Sequence, residues 1–286
     1  MEQEMRIAVT GATGSLGGHV VDSLLNKGVA ASDIVAIVRN EEKAADLKAR
    51  GIALGVATFE DEAALTAALE GVDRLVFISG SEVGQRVAQH TNVINAAKAA
   101  GVTFIAYTSL LNLDTSKLAL APEHIATEKL LAESGIDHAL LRNGWYWENY
   151  ESSIGAAKAT GKVFGAAEGA RVSAAARKDY AEAAAVVITS DNQAGKVYEL
   201  AGAPALTYPE IAAGIGEVIG SEAEYVNLSV EEYQNLLEQA GVPAEFAALL
   251  AGMDPIIAEG ALYSDSTDLQ DLIGRPSTSI VETLSS

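Results

Sequence analysis

A short apolar run and the glycine-rich turn behind it, close to the start of the chain, constrain the fold more than any other segment. Residues 6–10 have the apolar, β-branched character of a buried strand, and residues 11–17 place glycine at their first, fourth and seventh positions. The first glycine permits a tight turn, the second lets a phosphate approach the backbone, and the third lets the following helix pack closely on the sheet. Because the amino end of a helix offers free N–H groups to phosphate oxygens, the turn predicts a dinucleotide-binding site.

The first half of the chain alternates predicted strands with predicted helices. The strands are expected at 6–10, 34–38, 52–57, 74–79, 103–108 and 138–142, and the helices at about 15–27, 41–50, 61–70, 84–100 and 122–134. Most of these strands are continuous apolar runs, as expected for parallel strands that helices cover on both faces. The pattern predicts an α/β fold with a Rossmann-type, doubly wound parallel sheet and right-handed crossovers.

The alternation ends after Tyr150, where short strands and helices become mixed. The elements expected in this later part are strands at 162–164 and 196–200, helices that begin with capping boxes at Thr207 and Ser229, an apolar helix at 245–251 and a last helix at 280–284. We therefore expect an NADP-binding Rossmann domain in residues 1–150. A smaller, mixed α/β, substrate-binding region in residues 151–286 is expected to pack over the carboxyl ends of the strands.

Composition excludes several classes of protein. The net charge of −20 repels phosphate backbones, so we expect no nucleic-acid partner. The chain has no cysteine, and its four histidines lack metal-ligand spacing, so we expect neither disulfides nor a metal site. No apolar run reaches the roughly 18 residues of a spanning helix, and no signal peptide is recognisable, which together favour a cytoplasmic protein that does not enter membranes. The acidic surface leaves a homodimer open.

The end of the second strand indicates which nicotinamide cofactor is bound. An acidic residue there would bind the ribose hydroxyls of NAD, but this strand is followed by Arg39 and Asn40. Arg39 offers a planar cation that suits a 2′-phosphate, and Lys43 lies one helical turn further on. The sequence therefore favours NADPH, with NADH as the second choice.

Cofactor contacts are expected from the glycine-rich turn, from the end of the second strand and from the loops that follow the third and fourth strands. Residues 58–61 would border the adenine, and the loop after the fourth strand would run beneath the cofactor. Because the cofactor is an anion in an acidic protein, its pocket has to be locally positive. The residues expected to bind the cofactor at these places are Gly11, Ala12, Thr13, Gly14, Ser15, Leu16, Arg39, Ser79, Gly80 and Ser81.

Several segments occur together, and in this order, in one known family. They are residues 11–17, 35–40, 105–109, 124–129, 141–146 and 272–276. Their combination resembles the NmrA-like atypical short-chain dehydrogenases/reductases over essentially the whole chain, and most closely the bacterial quinone reductases and triphenylmethane reductases of that family. The resemblance implies that the nicotinamide end of NADPH is lined by Asn143, Gly144, Trp145 and Tyr146.

The proton-transfer tyrosine of ordinary short-chain dehydrogenases is missing. Ser109 and Lys129 match the serine and the lysine of those enzymes and are the candidate catalytic residues, but Ile125 stands where the tyrosine would be. Reduction of a quinone needs this tyrosine less than reduction of a carbonyl, because the product is a phenol-like anion with a pKa of about 10. We therefore expect direct hydride transfer to quinones or similar flat electrophiles, such as dyes, without flavin.

An aromatic segment after the sixth strand is the candidate acceptor site. Flat aromatic walls suit a flat apolar acceptor, and we expect Trp145, Tyr146 and Trp147 to line it. These rings would equally suit a core at the domain junction, and some can pack while others line the site. His124 is a weaker candidate as a donor to the product. The alternative function is a non-catalytic NmrA-like redox sensor that binds the dinucleotide and acts through a protein partner.

Overall fold

A computed structural model describes residues 5–285, and a seven-stranded sheet forms its centre. The strands of the chain are β1 (Ile7–Thr10), β2 (Ile34–Val38), β3 (Ala53–Val56), β4 (Arg74–Phe77), β5 (Phe104–Leu110), β6 (Asp137–Asn143), β7 (Lys162–Gly165), β8 (Arg171–Val172), β9 (Val197–Leu200), β10 (Leu206–Thr207) and β11 (Glu224–Asn227). The central sheet has the order β3-β2-β1-β4-β5-β6-β9, and all of its neighbouring strands are parallel. The order reverses between β1 and β4, so the predicted α/β, doubly wound Rossmann-type sheet is confirmed.

Helices cover both faces of this sheet. The helices of the chain are α1 (Ser15–Asn26), α2 (Ala45–Ala49), α3 (Glu62–Ala68), α4 (Arg86–Ala100), α5 (Ala121–Ser134), α6 (Glu151–Thr160), α7 (Arg177–Thr189), α8 (Tyr208–Ile219), α9 (Val230–Gln239), α10 (Ala244–Ala258), α11 (Asp268–Ile273) and α12 (Ile280–Leu284). One face carries α1, α7 and α11, and the other carries α3, α4 and α5. Among the described residues, none of the helices has the length and apolar character that crossing a bilayer requires.

Alternation along the central strands builds two separate cores. In β1 the side chains of Ile7 and Val9 enter the core under α1 and α7, whereas Ala8 enters the core under α3 and α4. Successive side chains of a strand point to opposite faces, so a strand covered on both sides must be apolar throughout. This requirement explains why β1, β2 and most of β4 are continuous apolar runs.

A third core lies in the later part of the chain. It is formed around α8 and the short strand pairs β7–β11 and β8–β10, and Ile211, Ile215 and Ile280 lie in it. Trp147 and Tyr150 contribute to the same core, although they precede residue 151. Residues on both sides of the expected boundary therefore build this core.

The later part of the chain also returns to the central sheet. β9 pairs with β6 as the seventh strand, and α7 packs against α1. The sequence predicts a strand at 196–200 but assigns it to the second region, because the alternation of strands and helices ends after Tyr150. In the structure Val197 of this strand is exposed and Glu199 is half-buried. An edge strand has only one neighbour in the sheet and tolerates such residues. The division of the chain at residue 150 stays a prediction.

Several predicted boundaries differ from the observed ones. The helix expected at 41–50 begins only at Ala45, because a tight turn over residues 42–44 precedes it and the Asn40 side chain accepts the N–H groups of Glu42 and Lys43. The helix expected at 245–251 extends over Ala244–Ala258. The capping boxes expected at Thr207 and Ser229 are confirmed at the starts of α8 and α9.

One buried carboxylate joins α7 to the last part of the chain. Asp179 is fully buried, and its Oδ1 accepts hydrogen bonds from Nη2 of Arg275 at 2.8 Å and from Oγ1 of Thr278 at 2.9 Å. Its Oδ2 accepts the N–H of Thr278 at 2.6 Å. A buried charge is tolerated only when such partners replace its hydration, so this contact sets how the last segment docks.

We expect Asp179→Ala to lower the free energy of unfolding by about 2–3 kcal/mol, because hydrogen bonds to a charged group are lost and buried donors are left unpaired. Asp191→Ala is the matched control, since that carboxylate is 89% exposed and only contacts Arg74 at 3.3 Å; its effect should stay within about 0.5 kcal/mol. Urea unfolding measures both. Equal losses for the two variants would contradict the role given to Asp179.

Candidate nucleotide-binding cleft

A cleft of ≈ 790 Å³ opens at the carboxyl ends of β1, β2 and β4. Its volume lies within the range of about 300–1,000 Å³ that is usual for small-molecule sites. It also lies where the strand order reverses, which is where open α/β sheets bind ligands. Of the residues predicted to bind the cofactor, those that line this cleft are Gly11, Thr13, Gly14, Ser15, Leu16, Arg39, Ser79, Gly80 and Ser81.

The glycine-rich turn forms one wall of the cleft. Gly11 has a φ of +59°, and its carbonyl accepts the N–H of Gly14 at 2.8 Å. A Cβ on Gly17 would lie only 2.1 Å from the Gly11 carbonyl oxygen, so the backbone of α1 passes too close for any side chain. No side chain caps the start of α1. Its first N–H groups therefore remain for a ligand in the cleft. Ala12 is buried beneath the turn and does not line the cleft.

Two cations stand at the end of β2. The Arg39 side chain is 75% exposed, and its Nη1 lies 3.5 Å from Oε1 of Glu82. Lys43 lines the same part of the cleft. An exposed pair at this distance contributes little to stability, so Arg39 is free to exchange Glu82 for another anion.

Carboxylates face these cations. Glu60 and Glu82 line the cleft, and Nε2 of Gln89 donates to both, at 2.6 Å and 3.0 Å. Hydrogen bonds from Thr58 and Gln89 lower the pKa of Glu60. The cleft is therefore not uniformly positive, and its positive potential comes from Arg39, Lys43 and the start of α1.

Hydrogen bonds join the strand ends that form the cleft. The Ile78 N–H donates to Oγ1 of Thr10 at 2.8 Å, and the Ser79 N–H donates to Oγ1 of Thr108 at 2.9 Å. These contacts run from β1 to the segment after β4 and from there to β5. Two threonine hydroxyls thus hold the start of the loop after β4 in register with its neighbours.

Sequence reasoning missed three residues of α4 behind the cleft: Arg86, Gln89 and His90. Arg86 and His90 are buried and hydrogen-bond the Gly80 peptide, while Gln89 lines the cleft. The available signal was the spacing of these polar residues at i, i+3 and i+4, which puts them on one face of a helix. That face points into the protein.

The structure does not bring Ser109 and Lys129 together. Ser109 lies at the end of β5, and its hydroxyl donates to Oε1 of Glu128 at 2.6 Å. Glu128 in turn accepts from the buried Arg142 at 2.9 Å. Lys129 is 73% exposed and lies 3.8 Å from Glu133 on the outer side of α5. On this helix it is therefore Glu128, and not Lys129, whose side chain faces Ser109.

His124 is buried beside β5, and its Nδ1 lies 2.8 Å from the hydroxyl of Tyr107. Burial lowers the pKa of His124 to about 4, so it is neutral at ordinary pH. Neither residue lines the cleft.

The aromatic segment after β6 divides between packing and partial exposure. Trp147 is only 2% exposed, and its Nε1 donates to the Thr278 carbonyl at 3.1 Å, so it is a core residue. Trp145 and Tyr146 are half-buried. The guanidinium group of Arg177 lies over the Tyr146 ring, with its Cζ 5.0 Å from the ring centroid. Asn143 is buried, and its Oδ1 has no hydrogen-bond partner among the described residues. Residues 143–146 do not line the cleft at β1, β2 and β4.

Comparison with known proteins identifies close relatives of this chain. The profile of the NmrA-like family matches residues 3–281. Quinone oxidoreductase 2 of Escherichia coli (strain K12) is 54% identical over 279 residues, which are 98% of this chain and 97% of that protein.

Solved structures agree with this result. The crystal structure of an NADPH-dependent quinone oxidoreductase from Escherichia coli, complexed with NADPH, matches with a TM-score of 0.93 and 54% identity over 98% of both chains. Triphenylmethane reductase of Citrobacter sp., complexed with NADP(H), matches with a TM-score of 0.92 and 38% identity over 97% of this chain and 98% of that one.

Two adjacent glycines of α1 test the close approach in the turn. We expect Gly17→Ala to lower the free energy of unfolding by about 2 kcal/mol or more, because its Cβ would overlap the backbone of Gly11. At Gly18 the nearest atom to an added Cβ is 3.8 Å away. Gly18→Ala should therefore stabilise the helix by about 0.5–1 kcal/mol. Urea unfolding of both variants checks this, and similar values for the two would sink the argument.

Proposed function

The chain belongs to the NmrA-like family, and from this membership we propose that it is an NADPH-dependent quinone oxidoreductase that passes hydride directly to a quinone or a similar flat electrophile. The observation that carries this proposal is the 54% identity with the Escherichia coli enzyme over 98% of this chain. The matched residues span the cleft and the later region alike. It therefore bears on the cofactor and on the acceptor.

The cleft suits a phosphorylated dinucleotide. The uncapped start of α1 offers N–H groups to a diphosphate, and Gly14, which has no Cβ, lets that diphosphate approach the backbone closely. Arg39, with Lys43 beside it, offers a cation to the 2′-phosphate, which NADPH carries and NADH lacks. The loop of Ser79, Gly80 and Ser81 would support the cofactor from below. Bound NADPH supplies the hydride, and these residues hold it in place.

The acceptor would lie beyond the ends of β5 and β6. In the register of these strands Leu110 stands opposite Asn143, so Ser109 and the segment that begins at Asn143 end at the same edge of the sheet. We propose that the unpartnered Oδ1 of Asn143 and the half-buried Trp145 and Tyr146 face the nicotinamide end. Trp147 would support them from the core. Holding the reacting atoms at close range then supplies most of the catalysis.

Of the two candidate catalytic residues, Ser109 is better supported by its position than Lys129. Its hydroxyl is held by Glu128, which the buried Arg142 anchors in turn. The exposed position of Lys129 gives it no comparable support. The relatives named above are reductases, and none of them favours a non-catalytic sensor. A cytoplasmic location, a homodimer and the absence of flavin and metal stay predictions.

The proposed activity is tested by following NADPH oxidation with a panel of benzoquinones and naphthoquinones. We expect quinone-dependent oxidation without added flavin, and no increase in rate when flavin is supplied. Omitting the quinone is the control. Folded protein that binds NADPH yet turns over none of these quinones would contradict the proposal.

We expect Arg39→Asp to weaken NADPH binding by about 1.5–3 kcal/mol, because the 2′-phosphate loses a charged hydrogen bond, and to affect NADH far less. Arg50→Asp makes the same change of charge on a side chain that contacts Asp22 and does not line the cleft. It should leave the preference for NADPH unchanged. Calorimetric titration with both coenzymes measures the ratio, and an unaltered ratio in Arg39→Asp would rule out this role.

A further inference from the structure

The loop after β4 is one wall of the cleft, and its position decides where a bound cofactor can rest. Residues 78–82 all line the cleft. They have no regular secondary structure. A loop without a ladder of its own needs other partners for its backbone groups, and those partners set its position.

Buried side chains of α4 hold both backbone polar groups of Gly80, its N–H and its carbonyl. The Gly80 N–H donates to Nε2 of His90 at 2.9 Å, and the Gly80 carbonyl accepts from Nε of Arg86 at 2.8 Å. His90 is fully buried and Arg86 is 4% exposed. The other end of the loop is held by a side chain of α5, because the Gly84 N–H donates to Oε1 of Glu123 at 2.9 Å.

These contacts determine the protonation state of His90. Because the Gly80 N–H can only donate, Nε2 must be the acceptor, and the ring proton must be on Nδ1. Nδ1 lies 2.9 Å from Oγ1 of Thr127, and that hydroxyl donates to the Glu123 carbonyl at 2.8 Å. One continuous series of donors and acceptors therefore runs from the cleft loop to α5. Only the neutral Nδ1–H tautomer of His90 completes it.

The surroundings of His90 keep the ring neutral. The rings of Phe59, Phe77 and Tyr107 surround it, with centroids 4.7–6.4 Å away. Burial, together with the charge of Arg86 and the proximity of His124, lowers the pKa of His90 to about 3. Arg86 is itself paired with the carboxylate of Glu123 at 2.6 Å. The acceptor at Nε2 is therefore present throughout the neutral pH range.

We propose that His90 is a positioning residue for the cofactor, which it never touches: through the Gly80 N–H it holds the loop after β4 at the place where NADPH is bound. This inference rests on the proposed function. Gly80 itself fits the arrangement, since an added Cβ would lie 3.1 Å from Oε1 of Gln89 and 3.7 Å from Nε2 of His90. Without the acceptor, the Gly80 N–H would be left unpaired and the loop would move to satisfy it.

Three substitutions separate positioning from general stability. His90→Leu removes the acceptor, and we expect the Kd for NADPH to rise about tenfold, the equivalent of one lost hydrogen bond. The kcat at saturating NADPH should change far less than the KM. His90→Gln provides an amide oxygen near the position of Nε2 and should restore the Kd to within about threefold of the wild type. Val93→Ala, one turn further along the buried side of α4, destabilises the same helix and should leave the Kd unchanged.

Thr127→Val is the second test if His90→Leu does not fold. It removes the acceptor of the Nδ1 proton and keeps the shape of the side chain, so it should raise the Kd severalfold. Calorimetric titration with NADPH measures all variants. A wild-type Kd in His90→Leu or Thr127→Val, or an equal loss in Val93→Ala, would overturn the inference. Failure of the wild type to bind any nicotinamide coenzyme would instead overturn the proposed function on which it rests.

Discussion

The close approach of α1 to the Gly11 carbonyl is the constraint on which the nucleotide cleft depends. Only a residue without a Cβ fits at Gly17, and this lets the helix start after the short turn of residues 11–14 that follows β1. The helix then points its free N–H groups into the gap beyond the carboxyl ends of β1 and β4, where the strand order reverses. Any retreat of α1 would widen this gap and weaken the core between α1 and α7 at the same time. Geometry for binding and packing for stability are therefore set by one contact.

A strongly acidic protein can offer an anion a site here because electrostatic interactions act locally. The net charge is −20, and Glu60 and Glu82 even lie inside the cleft. At physiological salt, charges further away than about 8 Å are largely screened, so most of the acidic surface does not reach a ligand in the cleft. The start of α1, Arg39 and Lys43 are near enough to act. In the structure Arg39 contacts Glu82, and in the proposed complex the 2′-phosphate of NADPH would take the place of that carboxylate.

Local patterns predicted the parts of the site that are local in sequence. The glycine-rich turn, Arg39 and the loop of Ser79, Gly80 and Ser81 are fixed by short segments at strand ends, and all of them line the cleft. The predictions that needed tertiary information were weaker. Lys129 and Glu128 are neighbours, and only the rotation of α5 decides that Glu128 faces Ser109. Trp147 is of the aromatic type that often lines binding sites. It is buried, however, because the last segment of the chain packs over it and Thr278 accepts its Nε1–H. The role of His90 depends on its hydrogen bond with the Gly80 N–H, ten residues earlier in the chain. Sequence periodicity does not reveal such a contact between a helix and a loop.

The return of the chain to its own sheet has a consequence for how such proteins can diversify. Because β9 and α7 come after Tyr150 and yet complete the sheet and its helical layer, the nucleotide-binding part and the later region are interleaved. Recombination near residue 150 would exchange the β9 edge of the sheet together with the rest of the later region, so the sheet and the later region cannot be inherited as independent modules. Outside the central sheet, α9 packs mainly on α10. α9 has no fully buried residue and can therefore drift in sequence at small cost to the fold.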